Sequence, residues 1–103
     1  LLPLHRQNRL TFLFYPTISL IKETGEGRYD ISLFPRELRY PGILMELKWK
    51  KGITEDTLKK LAKEALNQIE TQRYDTEMRQ EGVTEVIKLG IAFSGKNVKI
   101  WTV

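Results

Sequence analysis

The chain has no cysteine among its 103 residues. That excludes a disulfide framework, a thiolate metal site and a thiol nucleophile. Its one histidine, His5, stands in an N-terminal stretch and reads as a solvent-exposed tail residue rather than a ligand. Long apolar runs are missing too. The stretch over residues 10–21 is interrupted by Pro16 and is too short to span a bilayer. No basic n-region followed by a small-residue cleavage site marks a signal peptide. Glycines are few, and none stands in a Gly-x-x-x-x-Gly-Lys-Ser/Thr pattern, so an ATPase module would lie outside this chain. Neither a recognition helix nor an aromatic-basic platform for single strands is evident. There is no internal repeat, low-complexity run or linker. The first residue is not methionine and the sequence begins abruptly, which reads as a fragment of a longer protein.

What is present describes one globular domain over residues 1–103. Hydrophobic residues make up 41% and charged residues 29%, a balance that separates it from disordered chains. The formal net charge of +4 is compatible with a polyanionic partner. Residues 27–34 and 43–49 both read as strands, rich in β-branched, aromatic and aliphatic side chains and bounded by glycine and proline. The loop over residues 35–42 is short enough for an antiparallel hairpin. Pairing symmetric about Leu38 sets Asp30 opposite Glu46, and a one-residue slip would turn their faces apart. Alternation puts Glu46 and Lys48 on one side of their strand and Met45, Leu47 and Trp49 on the other.

Two carboxylates and a lysine on one face of a hairpin need a neutralising partner, because like charges across a sheet destabilise it. A hard divalent cation would serve, since Mg²⁺ takes one or two carboxylates, a carbonyl and several waters. Solvated charges on an exposed sheet face are the other reading. Against that second reading stands Leu44-Met45-Glu46-Leu47, which sets the charge inside an otherwise core-like run.

Residues 10–15 and 17–22 read as strand or short helix, and residues 22–27 as a glycine-containing turn whose Glu23 and Glu26 read as exposed carboxylates. Arg36 and Arg39 stand at the hairpin tip, within reach of a phosphate or simply solvated. Thr54 is a helix N-cap, and Leu58, Leu61, Ala62, Ala65, Leu66 and Ile69 form one apolar arc after it. Lys59, Lys60 and Lys63 fall on or near the opposite side, and read as a solvated helix face in preference to a nucleic-acid stripe. Gln68 stands at the edge of the arc, either approaching the hairpin's polar face or a boundary residue with no task. A shorter helix is expected over residues 74–80, ending near Gly82, with Tyr74 a core anchor or a neighbour of the site. Two strands joined by a turn at Ser94-Gly95-Lys96-Asn97 close the chain. The order describes a mixed α/β fold on one sheet.

Asp30 followed by Glu46-Leu47-Lys48 resembles the D…(D/E)-x-K signature of the PD-(D/E)XK nuclease superfamily. Glu23-Thr24-Gly25-Glu26-Gly27-Arg28-Tyr29-Asp30, Gln68-Ile69-Glu70 with Arg73-Tyr74, and Gly90-Ile91-Ala92-Phe93-Ser94-Gly95-Lys96 resemble one branch of it. That branch is the nuclease-like domain at the C-terminal end of bacterial and archaeal AAA-ATPase-like proteins, and the resemblance covers residues 23–99. It implies a restriction-endonuclease-like core, one mixed central sheet flanked by helices. It further implies Mg²⁺- or Mn²⁺-dependent hydrolysis of nucleic acid, DNA favoured, in the cytoplasm. The metal would be held by Asp30, Glu46 and the carbonyl of Leu47. Lys48 would orient the attacking water or stabilise charge, and Gln68 would hold the site. Partners on this reading are nucleic acid, an AAA-ATPase-like domain of the same parent protein, and a second copy in a homodimer. The family's opening helix, with its acidic residue, has no clear counterpart here. The alternative function is therefore a non-catalytic, nuclease-like interaction module of a larger ATPase.

Overall fold

A computed structural model describes residues 13–102. Five strands form one sheet in the order β1-β2-β3-β4-β5. They are β1 (Phe14–Glu23), β2 (Glu26–Pro35), β3 (Gly42–Lys50), β4 (Val86–Ser94) and β5 (Asn97–Thr102). Helices α1 (Glu55–Gln72) and α2 (Thr76–Gln80) connect β3 to β4. The first three strands are antiparallel neighbours, β3 and β4 are parallel, and β4 and β5 make a closing hairpin. Parallel pairing demands a crossover, and the two helices supply it. The expected mixed α/β sheet is therefore observed, in an arrangement consistent with a restriction-endonuclease-like core.

One expectation is corrected. Residues 17–22 do not form a segment separate from what precedes Pro16, because β1 runs continuously from Phe14 through that proline. It pairs on one side only, with β2, and an edge strand can spare the amide that proline lacks. The part of that reading that falls on residues 10–12, like His5, lies outside the described residues.

Helix α1 begins where Thr54 accepts a hydrogen bond from the Thr57 amide at 3.3 Å. It ends at Arg73, a left-handed residue whose amide donates back to the Ile69 carbonyl. Its buried residues are Leu58, Ala62, Ala65, Leu66 and Ile69, the arc read from the sequence apart from Leu61, which is half-buried. This face lies chiefly on β4, with β3 and β5 to either side. Gly90 makes the close approach possible. A Cβ there would collide with the Ala62 carbonyl and the Leu66 amide, both of them main-chain atoms. Gly90→Ala is expected to cost at least about 1–3 kcal/mol, the range for overpacking, because helix backbone cannot rotate aside. A urea midpoint unchanged from wild type would refute that packing account.

Short α2 anchors a second cluster, in which Met78 and Val83 meet Leu44 and Ile69, with Phe34, Tyr74 and Val86 around them. Both helices thus pack on the sheet face that carries Leu44, Glu46 and Gly90. The opposite face presents Ile18, Leu20, Ile31, Met45, Leu47, Ile91 and Ile100 by register, and neither α1 nor α2 covers it. Among the described residues no helix is long and apolar enough to cross a membrane.

Candidate functional site

The β2–β3 register is the one expected from symmetry about Leu38. Asp30 pairs with Glu46, Arg28 with Lys48 and Glu26 with Lys50. All six side chains share the helix-bearing face, since pairs two residues apart repeat on one side. Residues directly opposite across an antiparallel pair have Cα atoms about 4.5–5.5 Å apart, so the two carboxyls are neighbours.

Their surroundings differ. Glu46 has 0% exposure and ranks among the largest fully buried side chains. Gly90 is its partner on β4, where the α1 backbone comes close to the sheet. Asp30 lies further out, toward β1, and its side chain keeps 29% exposure. Neither Glu46 oxygen has a hydrogen-bond partner, and the same is true of Asp30 Oδ1 and Arg28 Nε. The nearby cations stand off: Lys48 Nζ is 4.0 Å from Glu46 and Arg28 Nε is 3.8 Å from Asp30. Those distances allow Coulomb attraction but exceed a hydrogen bond.

Burial pushes the Glu46 carboxyl up to about 8, helped by the neighbouring Asp30 carboxyl and its charge. Lys48 and Arg28 pull the other way without overcoming this. A buried acid with no donors is unfavourable as an anion. The fold maintains it nonetheless. Two carboxyls with unsatisfied oxygens fit a hard divalent cation that completes its shell with water.

The donor set is small. Among the described residues no group of three His, Cys, Asp or Glu side chains could hold a metal. Leu47 turns its side chain to the opposite face with Met45, so only its main-chain carbonyl is available. Gln68 is half-buried on α1 and follows Leu61 and Glu64 along one helical row. Its amide makes no hydrogen bond to Glu46 or to Asp30 Oδ1.

Two hollows flank the acid pair. One, of about 310 Å³, is lined by Asp30, Ser32, Thr17 and Ser19 from the sheet and by Ile69, Tyr74 and Glu77 from the helical side. The other, of about 320 Å³, is lined by Arg28, Lys48, Lys50, Trp49, Leu61 and Glu64 among others. Tyr74 therefore fills both roles read for it, packing on the Leu44 cluster and edging the hollow beside Asp30. The hairpin-tip arginines are engaged locally: Arg36 lies over the Tyr15 ring at 4.1 Å and Arg39 bonds Glu37 at 2.9 Å. Glu26 is drawn to Lys50 at 3.7 Å.

Arg28 was not singled out from the sequence, although its place two residues before Asp30 puts it on the same face. Ser19 and Thr17 were invisible for a different reason: they reach the site only because β1 pairs with β2, a register no local pattern announces.

A family model described as the PD-(D/E)XK nuclease superfamily matches residues 11–102. No curated protein matches the chain significantly.

Proposed function

From the premise that this chain belongs to the PD-(D/E)XK nuclease superfamily, we propose that it hydrolyses phosphodiester bonds of nucleic acid, DNA in preference, with Mg²⁺ or Mn²⁺. The observation that carries the proposal is Glu46, fully buried with both oxygens lacking a donor and paired in register with Asp30. Asp30, Glu46 and the Leu47 carbonyl are the residues that would hold the cation. Such a cation lowers the pKa of a bound water and neutralises phosphoryl charge. Lys48 stands on the same face, 4.0 Å from Glu46, where its ammonium can donate to a phosphoryl oxygen as charge develops. Gln68, half-buried on α1, would steady the helix-side edge of the site. No covalent protein nucleophile is needed.

Supercoiled plasmid, linear duplex and single strands of DNA and RNA, incubated with Mn²⁺ or Mg²⁺, provide the test. Cleavage is expected to need metal, to stop in EDTA, and to fall by at least about 100-fold in Lys48→Ala, the loss associated with removing one charge-stabilising donor. Equal activity in Lys48→Ala would defeat this assignment.

The small donor set favours a second reading, a nuclease-like module that serves contacts without cutting. Saturable Mn²⁺ binding that disappears in Glu46→Ala separates the two, because a contact module has no use for the metal. The protein partners in this proposal are an AAA-ATPase-like domain of the same parent protein and a second copy of the chain, in the cytoplasm. The first is supported by the resemblance over residues 23–99, the second by the apolar sheet face that, among the described residues, neither α1 nor α2 covers. Sedimentation of the chain alone and with that domain would remove either one.

A further inference from the structure

Along the shared face of β2 and β3, the acid row Asp30–Glu46 is followed by Arg28–Lys48 and then Glu26–Lys50. Successive rows on one face lie about 6.7 Å apart, twice the rise of a strand residue. That is comparable to the step between neighbouring phosphates on an extended nucleic-acid strand.

Arg28 is under-used where it stands. Its Nε is buried and has no hydrogen-bond partner, and the closest carboxylate oxygen, on Asp30, is 3.8 Å away. A buried donor left without an acceptor is costly. The side chain keeps 31% exposure and lines the hollow of about 320 Å³ next to the acids. Lys48 lines it too and is similarly loose, 4.0 Å from Glu46. Glu26 and Glu64 also line this hollow and oppose an anion there. Glu26, however, is matched by Lys50 at 3.7 Å. A cation on Asp30 and Glu46 would neutralise the charges that Arg28 and Lys48 now face. Both would then be left toward the hollow with Glu64 as the one unmatched acid.

We propose that Arg28, beside Lys48, forms a phosphate subsite for a nucleic-acid strand, taking the backbone phosphate next to the one held by the acid row. A guanidinium suits that task, because its planar fork matches phosphate oxygens in pairs and its charge does not titrate. The subsite rests on the nuclease reading for its neighbour but not for its own ligand chemistry. It orders the substrate along the strands, from Asp30 toward Lys50.

The experiment is fluorescence anisotropy of a short labelled DNA with cleavage-resistant phosphorothioate linkages, single-stranded and annealed to its complement, with Mn²⁺ present across a salt series. Arg28→Ala is expected to weaken binding by about tenfold at low salt, the value of a charge-assisted hydrogen bond. The slope of log affinity against log salt should fall by about 1, the mark of one lost phosphate contact. Lys60→Ala, on the solvated side of α1, should leave both unchanged, which separates a site from general charge. Mn²⁺ binding retained by Arg28→Ala would show that the acids still assemble. Wild-type affinity and slope in Arg28→Ala overturn the subsite. If that variant does not fold, Arg28→Lys decides: it keeps the slope but loses the fork, so undiminished affinity overturns the proposal. The two readings fail separately. Cleavage indifferent to Lys48→Ala removes the nuclease assignment while Arg28-dependent binding upholds the subsite. Lys48-dependent cleavage with DNA binding indifferent to Arg28 removes the subsite alone.

Discussion

Glu46→Gln is expected to abolish metal binding and metal-dependent cleavage while making the metal-free protein more stable above neutral pH. Both effects come from one side chain. As a carboxylate, Glu46 is the buried half of the proposed metal site, and an amide cannot replace its charge. As a residue of the fold it is a burden, because it has 0% exposure and no donor to either oxygen. Its folded-state pKa stands near 8 against an ordinary value of 4.5. An acid raised in this way binds its proton more tightly when folded. The resulting stability is therefore complete below the ordinary carboxyl range and is lost as pH rises toward 8. The loss accrues at about 1.4 kcal/mol per pH unit, which over that interval amounts to roughly 3–5 kcal/mol. A glutamine keeps the shape, has no charge to desolvate and can donate its amide to Asp30. Urea midpoints of the wild type in EDTA should fall between about pH 5 and pH 8, whereas those of Glu46→Gln should lack this descent. Parallel profiles for the two proteins would mean that burial does not strain the Glu46 carboxyl. Gain of stability with loss of activity is the pattern expected where a fold retains an unfavourable group for its chemistry.

Much of this arrangement is legible in the sequence. The alternation of residues 27–34 and 43–49, with a loop symmetric about Leu38, was enough to pair Asp30 with Glu46, because a period of two leaves a hairpin only two face assignments. The cap at Thr54 and the arc from Leu58 to Ile69 were equally local signals. Other features were not local. Pro16 looked like a break, since its tolerance depends on β1 having a neighbour on one side only. Why Glu46 is buried was hidden as well, because the cause is Gly90, more than forty positions on in the chain and its partner on β4. Arg28 could have been read from its two-residue offset to Asp30. Its significance, an unpartnered Nε above a hollow, needed the geometry. Sequence pattern conveys what one element does to itself; the acid's burial is a property of three strands and a helix together.

The same buried acid sets how the metal should load. At neutral pH the Glu46 carboxyl, with its pKa near 8, is mostly protonated, whereas a metal ligand must be the carboxylate. Binding of Mn²⁺ at pH 7 is therefore expected to release nearly one proton per ion. The release should shrink above pH 8 and vanish about a unit beyond, where Glu46 is already ionised. Apparent affinity should rise about tenfold per pH unit well below 8 and then level off, a gain of roughly 50-fold from pH 6 to pH 8. Calorimetry in buffers of different ionisation enthalpy measures the proton count directly, without any substrate or turnover. A count near zero at pH 7 would require Glu46 to be ionised before the metal arrives, and the lysine at 4.0 Å is too far and too lightly coupled to do that alone. A count of one ties three observations into a single cause: the unsatisfied oxygens, the helix that closes over them at Gly90, and the carboxyl of Asp30 alongside. Cleavage, if Glu46 holds the working ion, should follow the same rise with pH at limiting metal and lose it at saturating metal, because excess ion displaces the proton by mass action.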